Sequence, residues 1–477
     1  MEIRSWNGKN TDGENMNERN IDLKNKKVLV FGSGKSGIGA AELLLKVGAL
    51  PVIYDGNEKL SGAELLDRLG GAGQASVYLG ELPEKVIREL ELVIMSPGVP
   101  CDLPLVQHFR ELGLTIWGEI ELAYRVGRGR VLAVTGTNGK TTTTALLGQI
   151  MKDYCPEVYI VGNIGNPYTD AALEQTDRAV TVAEISSFQL ETIDAFHPCA
   201  SAITNITEDH LNRHHTMEEY IRVKELIVKN QTEEDACVLN YEDEVLRKFG
   251  EAIRPKVIWF SSRRTLERGI YLKDGEIRLA DGGAIIPVVK TGELKLLGLH
   301  NYENIMTAVA MAYHAGVPMD SIRKTVRSFS GVEHRIEYVT EKRGVRYYND
   351  SKGTNPDAAI KGIQAMNRPT VLIGGGFDKG SSYEEWIQSF DGKVKALVLI
   401  GQTREKIAEA GISCGFPKEH IIFCENLEEA VRTCAAQAES GDAVLLSPAC
   451  ASWGQFDNYE QRGDMFKEYV RALPEKM

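Results

Sequence analysis

Short β-branched apolar runs alternate with helix-patterned segments along almost the whole chain. That alternation points to parallel sheets whose faces are covered by helices. The pattern also restarts twice. The first block holds "KVLVFG" (27–32), "PVIYD" (51–55) and "ELVIMS" (91–96), with a helix spaced at Ile38, Leu43, Leu44 and Val47 between the first two. After "TIWGEIELA" a second block runs "VLAVTG" (131–136), "EVYIVG" (157–162), "AVTVAEIS" (179–186) and "ASAITNI" (200–206). The stretch 237–298 is richer in short strands and turns. A third alternation follows "GVEHR" (331–335) as "RYYND", "TVLIGGG", "ALVLIG", "HIIFC" and "AVLLSP". Three α/β domains are expected, over 26–120, 121–331 and 332–477. The polar, Asn-rich residues 1–25 read as a loose extension in which Met16 is a candidate start.

Bulk properties exclude several function classes. A net charge of -12 is a poor match for a nucleic-acid backbone and favours small soluble substrates. The eight cysteines form no CxxC pair and no zinc-ligand spacing, so they read as small core hydrophobes of a reducing compartment. No apolar run approaches the roughly 18 residues that span a bilayer. The start lacks the apolar stretch of a signal peptide. A cytosolic protein is expected.

Two Gly-Lys-Ser/Thr triplets compete for a phosphate site. The first, in "VLVFGSGKSGIG", stands where a phosphate loop would need a glycine at position 29, and Leu29 is there. It offers instead Gly32-x-Gly34-x-x-Gly37, with Asp55 ending the next strand. That is the spacing of a dinucleotide or nucleotide-sugar pocket, and also of a glycine-rich turn with no ligand at all. Lys35, beside the helix start, can touch a diphosphate or remain solvated. The second triplet supplies a contracted loop, Gly136-x-x-Gly139-Lys140-Thr141, with Thr137 and Asn138 inside it. Closely spaced glycines let successive N–H groups converge on an anion at a helix N-terminus. Lys140 can neutralise β- and γ-phosphates, and a Thr141 or Thr142 hydroxyl can ligate Mg²⁺. The triphosphate is expected at this second loop.

Mg²⁺ prefers oxygen ligands. Glu184 ends the apolar strand of "AVTVAEISSFQLE" and is the first candidate. Asp209, His210 and His214 of "TEDHLNRHH" follow the next strand, and parallel-sheet ligands bind at the carboxyl ends of strands. His210 is the candidate among them, although a loop histidine is ordinarily solvated. Lys224, taken alone, reads as a solvated helix lysine.

In combination these stretches carry more. "TGTNGKTTT", "GNIGNP", "EISSFQLE", "TEDHLNRH", "HNYEN", "HRIE", "NDSKGTNPDA", "GGFDKG" and "LLSPACASWGQFDNYEQRGDMF" occur in this order. Over residues 26–477 the chain resembles the ATP-dependent Mur ligases. The resemblance implies a Rossmann-like nucleotide-sugar domain, a central phosphate-loop ATPase-like domain and a C-terminal Rossmann-like domain. It implies ATP-driven coupling of an amino acid to the carboxylate of a UDP-muramyl substrate through an acyl phosphate, and the last two motifs point to D-glutamate. The substrates would be UDP-N-acetylmuramoyl-L-alanine, D-glutamate and ATP, with Mg²⁺, two ions being expected, and a monomer without nucleic-acid or membrane partners.

Residue roles follow from the same resemblance. Lys140 and the loop Gly136–Thr142 would hold the phosphates, with Glu184 and Thr141 at one Mg²⁺ and His210 at the second. Lys224 matches a lysine that becomes a carbamate. Asn301 and Asn304 fit adenine recognition. Arg335 and Asp350 fit the phosphates and ribose, brought in as the third domain closes over the second, and Lys352 would lie near the transferred phosphoryl. Gly34, Lys35, Ser36, Asp55 and Ser96 would hold the UDP end, and Asn163 the muramyl diphosphate region. Lys379 would face the side-chain carboxylate of D-glutamate, with Thr354, Ser452 and Tyr459 completing that pocket. Asn212, Gly353 and Gly454 depart from the family pattern without removing a ligand.

Three rival readings are weaker. A nicotinamide dehydrogenase leaves "TGTNGKTTT" and "DHLNRH" without a task. A folylpolyglutamate-type ligase, or a Mur ligase for another amino acid, shares the phosphate loop, but "GGFDKG" with "SPACAS" favours D-glutamate. A non-catalytic module on this fold would be expected to have lost Lys140, Glu184, His210 or Lys224, and all four are present.

Overall fold

The computed structural model describes residues 21–70, 75–163 and 166–474. Most of the expected N-terminal extension, Met16 included, lies outside the described residues. Its last residues are packed: Leu23 is buried in the first core, and the Asn25 N–H donates to the Gly48 carbonyl. The chain divides into two compact units, one reaching to Val288 and including Glu303–Thr325, the other made of Val289–Tyr302 and the chain from Val326.

The first unit contains two sheets. In the smaller, β1 (Lys27–Phe31), β2 (Leu50–Asp55), β3 (Ser76–Leu79), β4 (Leu92–Met95) and β5 (Thr115–Gly118) lie parallel in the order β3-β2-β1-β4-β5. Period-two alternation sends Val28 and Val30 into one core and Leu29 and Phe31 into another, so both faces are covered. The order reverses between β1 and β4, which opens a crevice at their carboxyl ends, where Gly32 and Ser96 stand. The helix Lys35–Lys46 buries Ala40, Ala41, Leu43 and Leu44 against the sheet.

The second sheet has nine strands, β6 (Arg130–Thr135), β7 (Val158–Gly162), β8 (Val180–Glu184), β9 (Ala200–Ile203), β10 (Ala236–Asn240), β11 (Lys256–Ser261), β12 (Gly269–Lys273), β13 (Glu276–Asp281) and β14 (Ala284–Lys290). Their order is β14-β13-β12-β11-β10-β9-β6-β8-β7. Apart from Ala236, β10 to β14 come from the turn-rich stretch 237–298; β10 and β11 continue the parallel part, and β12 and β13 form an antiparallel hairpin. One core is shared by both sheets, from Val28 and Leu44 to Val131 and Ala183.

The second unit holds β15 (Glu337–Lys342), β16 (Val345–Asn349), β17 (Thr370–Gly374), β18 (Val394–Leu399), β19 (Ile421–Phe423) and β20 (Ala443–Leu446), ordered β15-β16-β20-β17-β18-β19. Only the β15–β16 pair is antiparallel. The edge strands β3 and β15 were not expected from the sequence. Neither has a fully buried residue, so neither shows an apolar signature. No described helix is long and apolar enough to cross a membrane.

Candidate active site

The loop between β6 and the helix Lys140–Lys152 is built around its two glycines. Gly136 has φ +137° and Gly139 φ +86°, a region that side-chain-bearing residues rarely enter. A Cβ on Gly136 would stand 2.0 Å from Thr204 Oγ1, and one on Gly139 would stand 2.2 Å from Asn304 Oδ1. The strand end of β9 fastens the loop. Asn138 N–H donates to Asn205 Oδ1 (2.9 Å), while Thr204 Oγ1 (2.6 Å) and Asn205 Nδ2 (3.0 Å) donate to the Asn138 carbonyl. Thr137 Oγ1 meets Tyr220 Oη at 3.0 Å and donates to the Thr207 carbonyl at 3.1 Å. The helix has no side-chain cap and no acid in its first turn, so no carboxylate competes with an anion for its positive end.

Two lysines converge on this loop. Lys140 Nζ donates to the carbonyls of Gly136 and Thr137 at 2.9 Å each. Lys224 Nζ donates to the Gly136 carbonyl at 2.8 Å and lies 4.7 Å from the centre of the Tyr220 ring. Lys224 is buried, because Tyr220, Val223 and Lys224 form the inward face of the helix Met217–Glu225. Burial first, then the Lys140 charge, pulls its pKa down to about 7, with Asp209 opposing. The solvated lysine expected from the helix pattern alone is therefore a desolvated amine at the phosphate loop.

Glu184 ends β8 almost wholly buried. Its Oε1 accepts from Asn163 Nδ2 at 2.8 Å, and Oε2 has no hydrogen-bond partner. An orphaned buried carboxylate oxygen, with Thr141 in the first turn of the neighbouring helix, is a donor set that suits Mg²⁺. His210 sits in the left-handed region on an exposed loop, its ring 4.9 Å from that of Phe188 and one nitrogen 3.4 Å from Asp209. His214 is buried on Ser187 and has no ligand role to fill. Asn304 supports the loop through a 3.4 Å bond from Thr143 Oγ1, and Asn301 donates to the Leu297 carbonyl at 2.7 Å.

The first glycine loop is a different object. Gly32 has φ +96° beside Ser96, and a Cβ on Gly37 would stand 1.8 Å from the Gly32 carbonyl oxygen. Ser96 Oγ donates to that carbonyl at 3.1 Å. Gly34 has open space where a Cβ would stand, and the helix it precedes has neither a side-chain cap nor an acid in its first turn. Asp55 is turned onto its own loop: Oδ2 accepts from Ser33 N–H (2.9 Å) and Oγ–H (2.6 Å), and Oδ1 accepts from Asn57 N–H (3.0 Å). Burial raises its pKa, but these donors outweigh it and hold the carboxylate below its ordinary range. Lys35, Ser36 and Asn163 line one cavity of about 180 Å³ between the two sheets.

In the second unit, Lys352 lies over the Tyr459 ring at 5.8 Å and Lys379 over Trp453 at 4.5 Å. Burial, and secondarily Glu460, pushes the Tyr459 phenol up to about 12. Ser452 is buried, Thr354 half-buried and Arg335 exposed. Asp350 is buried: its Oδ2 accepts from Ser447 Oγ (2.7 Å) and its Oδ1 from the Ile336 N–H (3.2 Å), which braces the loop carrying Lys352. Gly353 fits there because a Cβ would stand 2.9 Å from Asp350 Oδ2, and Gly454 has φ +85°. Both departures from the family pattern thus have local causes.

Sequence reasoning missed the anchors. Arg462, fully buried, donates to Ser351 Oγ (3.0 Å) and to the carbonyls of Ser351 (2.8 Å) and Cys450 (3.2 Å). Asn205, Thr204 and Ser447 were missed as well. Their signal was slight: small polar residues just past strand ends.

Residues 26–118 match the family model of the Mur ligase MurD-like N-terminal domain, 134–312 that of the Mur ligase middle domain, and 334–450 that of the Mur ligase glutamate ligase domain. The UDP-N-acetylmuramoylalanine–D-glutamate ligase of Lachnospira eligens is 53% identical over 453 residues, covering 95% of this chain and 100% of that protein. The same-named protein of Lachnoclostridium phytofermentans is 54% identical over 456 residues, covering 96% of this chain and 100% of that protein. Among solved structures, the UDP-N-acetylmuramate-alanine ligase MurC of Thermotoga maritima is similar with a TM-score of 0.55 at 20% identity, covering 94% of this chain and 99% of that one. That last likeness speaks to the fold.

Proposed function

The chain belongs to the Mur ligase family, alongside the UDP-N-acetylmuramoylalanine–D-glutamate ligases it matches at full length, and from that premise we propose how its residues divide the work. The enzyme adds D-glutamate to UDP-N-acetylmuramoyl-L-alanine with ATP as co-substrate, a step of peptidoglycan precursor synthesis. The carboxylate oxygen of the UDP substrate attacks the γ-phosphorus of ATP, the bond to the β-phosphate oxygen breaks, and ADP departs. The D-glutamate amine then attacks the acyl phosphate, a C–N bond forms, and inorganic phosphate leaves as the amine gives up a proton.

The protein does little covalent chemistry in such a reaction; it positions and neutralises. The loop Gly136–Thr142 and the Lys140 ammonium hold the β- and γ-phosphates. Mg²⁺, held by Glu184 and Thr141, with a second ion at His210 and carbamylated Lys224, supplies neutralisation of phosphate charge. Gly34, Lys35, Ser36, Asp55, Ser96 and Asn163 take the UDP substrate. Lys352 attends the transferred phosphoryl. Lys379, Thr354, Ser452 and Tyr459 take D-glutamate, whose two carboxylates call for a fixed cation and hydroxyl donors. Asn301, Asn304, Arg335 and Asp350 serve the nucleotide. The reaction is placed in the cytoplasm and the protein taken as a monomer, readings supported by the charged soluble substrates and the net charge of -12.

The observation that carries this reading is the desolvated Lys224 amine bonded to the Gly136 carbonyl inside the phosphate loop. Phosphate release from ATP tests the function. With UDP-N-acetylmuramoyl-L-alanine present, release is expected with D-glutamate and not with L-glutamate, L-lysine or diaminopimelate. Release that follows another amino acid would overturn the assignment of the Lys379 pocket.

A further inference from the structure

Two buried glutamates stand two residues apart on the helix Glu119–Val126, and only one is satisfied. Glu121 accepts from the N–H groups of Asp194 (2.9 Å), Ala195 (2.8 Å) and Phe196 (2.9 Å) and from Arg125 Nε (2.7 Å). It ties the two sheets together. Glu119 is 3% exposed; its Oε1 accepts from Gln189 Nε2 at 2.9 Å, and its Oε2 has no partner. Buried polar atoms are nearly always paired, so this oxygen calls for an explanation.

Glu119 lies on the wall of the cavity of about 180 Å³ that Lys35, Ser36, Gly162, Asn163 and Gln189 also line. Gln189 cannot turn to serve the second oxygen. Its own Oε1 accepts from Ser186 N–H (2.9 Å) and Oγ–H (3.1 Å) in a capping box, which aims its NH₂ at Glu119. Burial, opposed by Gln189 and the N–H groups of the helix start, pushes the Glu119 carboxyl up to about 7. At neutral pH it therefore presents an acceptor with little obligatory charge, which suits an uncharged donor.

Resting on the function proposed above, the cavity runs from the UDP end, at Lys35 and Ser36, to Asn163 of the muramyl diphosphate region, which is bonded to the Mg²⁺ candidate Glu184. What crosses it is the acylated amino sugar with its alanyl arm, a segment offering hydroxyl and amide N–H donors. We propose that Glu119, oriented by Gln189, is a specificity-determining residue that hydrogen-bonds an O–H or N–H donor of the acyl-amino-sugar portion of the nucleotide substrate.

Calorimetry with two probes, UDP alone and UDP-N-acetylmuramoyl-L-alanine, tests it on the full-length protein. Glu119→Ala, and the near-isosteric Glu119→Met should the first not fold, are expected to bind the complete substrate about tenfold or more weakly while binding UDP like the wild type. Glu119→Gln, which keeps an acceptor and adds a donor, is expected to recover most of the affinity. In turnover, KM for the UDP substrate should rise with kcat nearly unchanged. Equal weakening of both probes, or of neither, would overturn the proposal and leave Glu119 as a tie between the sheets. Failure of the folded wild type to bind the complete substrate would instead overturn the function on which the proposal rests.

Discussion

The Lys224 side chain donates a 2.8 Å hydrogen bond to the Gly136 carbonyl, inside the loop proposed to hold the phosphates. Desolvation, with Lys140 nearby, lowers the Lys224 pKa to about 7, which raises its share of free amine at pH 7.5 far above that of an exposed lysine. An ordinary lysine at that pH is free in about one molecule in a thousand. Carbon dioxide adds only to the free amine, forming an N–C bond and releasing a proton. In the metal-free protein, ¹³C-bicarbonate labelling should therefore rise between pH 6 and 8 with a midpoint near 7, and vanish in Lys224→Arg. A midpoint near that of an exposed lysine would refute the assignment. Lys224→Ala should lower kcat by on the order of 10²–10³.

The two glycine loops should respond in opposite ways to a single methyl. Gly136→Ala puts Cβ 2.0 Å from Thr204 Oγ1 at φ +137°, whereas Gly34→Ala meets nothing within 4 Å. The first should cost about 1–3 kcal/mol and raise KM for ATP. The second should melt like the wild type and affect KM for the UDP substrate alone. Thermal melts and KM values for both nucleotides check this; equal melting temperatures would refute it.

Much of this was legible in the sequence, because parallel strands and glycine loops write themselves locally. Glu184 stood out because a charged residue ending an apolar strand is unusual, and the structure shows it buried with one unpartnered oxygen. Lys224 could not be found alone: its burial depends on a loop 88 residues away, which no periodicity within its helix reports. The partner of Asp350, Ser447, lies 97 positions further on and could not be read from the sequence. Glu119 carried the same strand-end signal as Glu184 but was masked by the helical opening "GEIELA". The edge strands β3 and β15 were hidden because they bury too little to be patterned.

Asp350 gives a stability prediction with a definite sign. Burial pushes its carboxyl up to about 7, against Ser447 and the charge of Arg335. The unfolded group ionises near the ordinary value of about 3.9. Between those limits the folded state keeps a proton that the unfolded state has lost, so stability falls as pH rises toward 7 and levels off above it. Asp350→Asn should be flat in that respect. Its melting temperature relative to wild type should therefore climb from pH 4.5 to 7.5; a constant difference would show that Asp350 is ionised in the fold.

Arg462 is held below its ordinary pKa, at about 10, chiefly by burial, and satisfies Ser351 and the Cys450 carbonyl together. Arg462→Lys keeps the charge but loses the fork. It should cost about 3 kcal/mol and raise KM for D-glutamate more than KM for ATP, because Cys450, whose carbonyl Arg462 holds, precedes Ser452 of the proposed D-glutamate pocket by two residues. Equal effects on both substrates would contradict an anchoring role in the D-glutamate pocket.

The central claim is that ATP phosphorylates the substrate carboxylate before the amine arrives. UDP-N-acetylmuramoyl-L-alanine carrying ¹⁸O in its alanyl carboxylate tests it in one turnover with unlabelled ATP and D-glutamate. The released phosphate should carry one ¹⁸O atom, taken from the carboxylate when the C–O bond of the acyl phosphate breaks. Phosphate free of ¹⁸O, formed together with the amide product, would contradict the acyl-phosphate route and, with it, the parts that Lys140, Lys224 and Glu184 play in phosphoryl transfer.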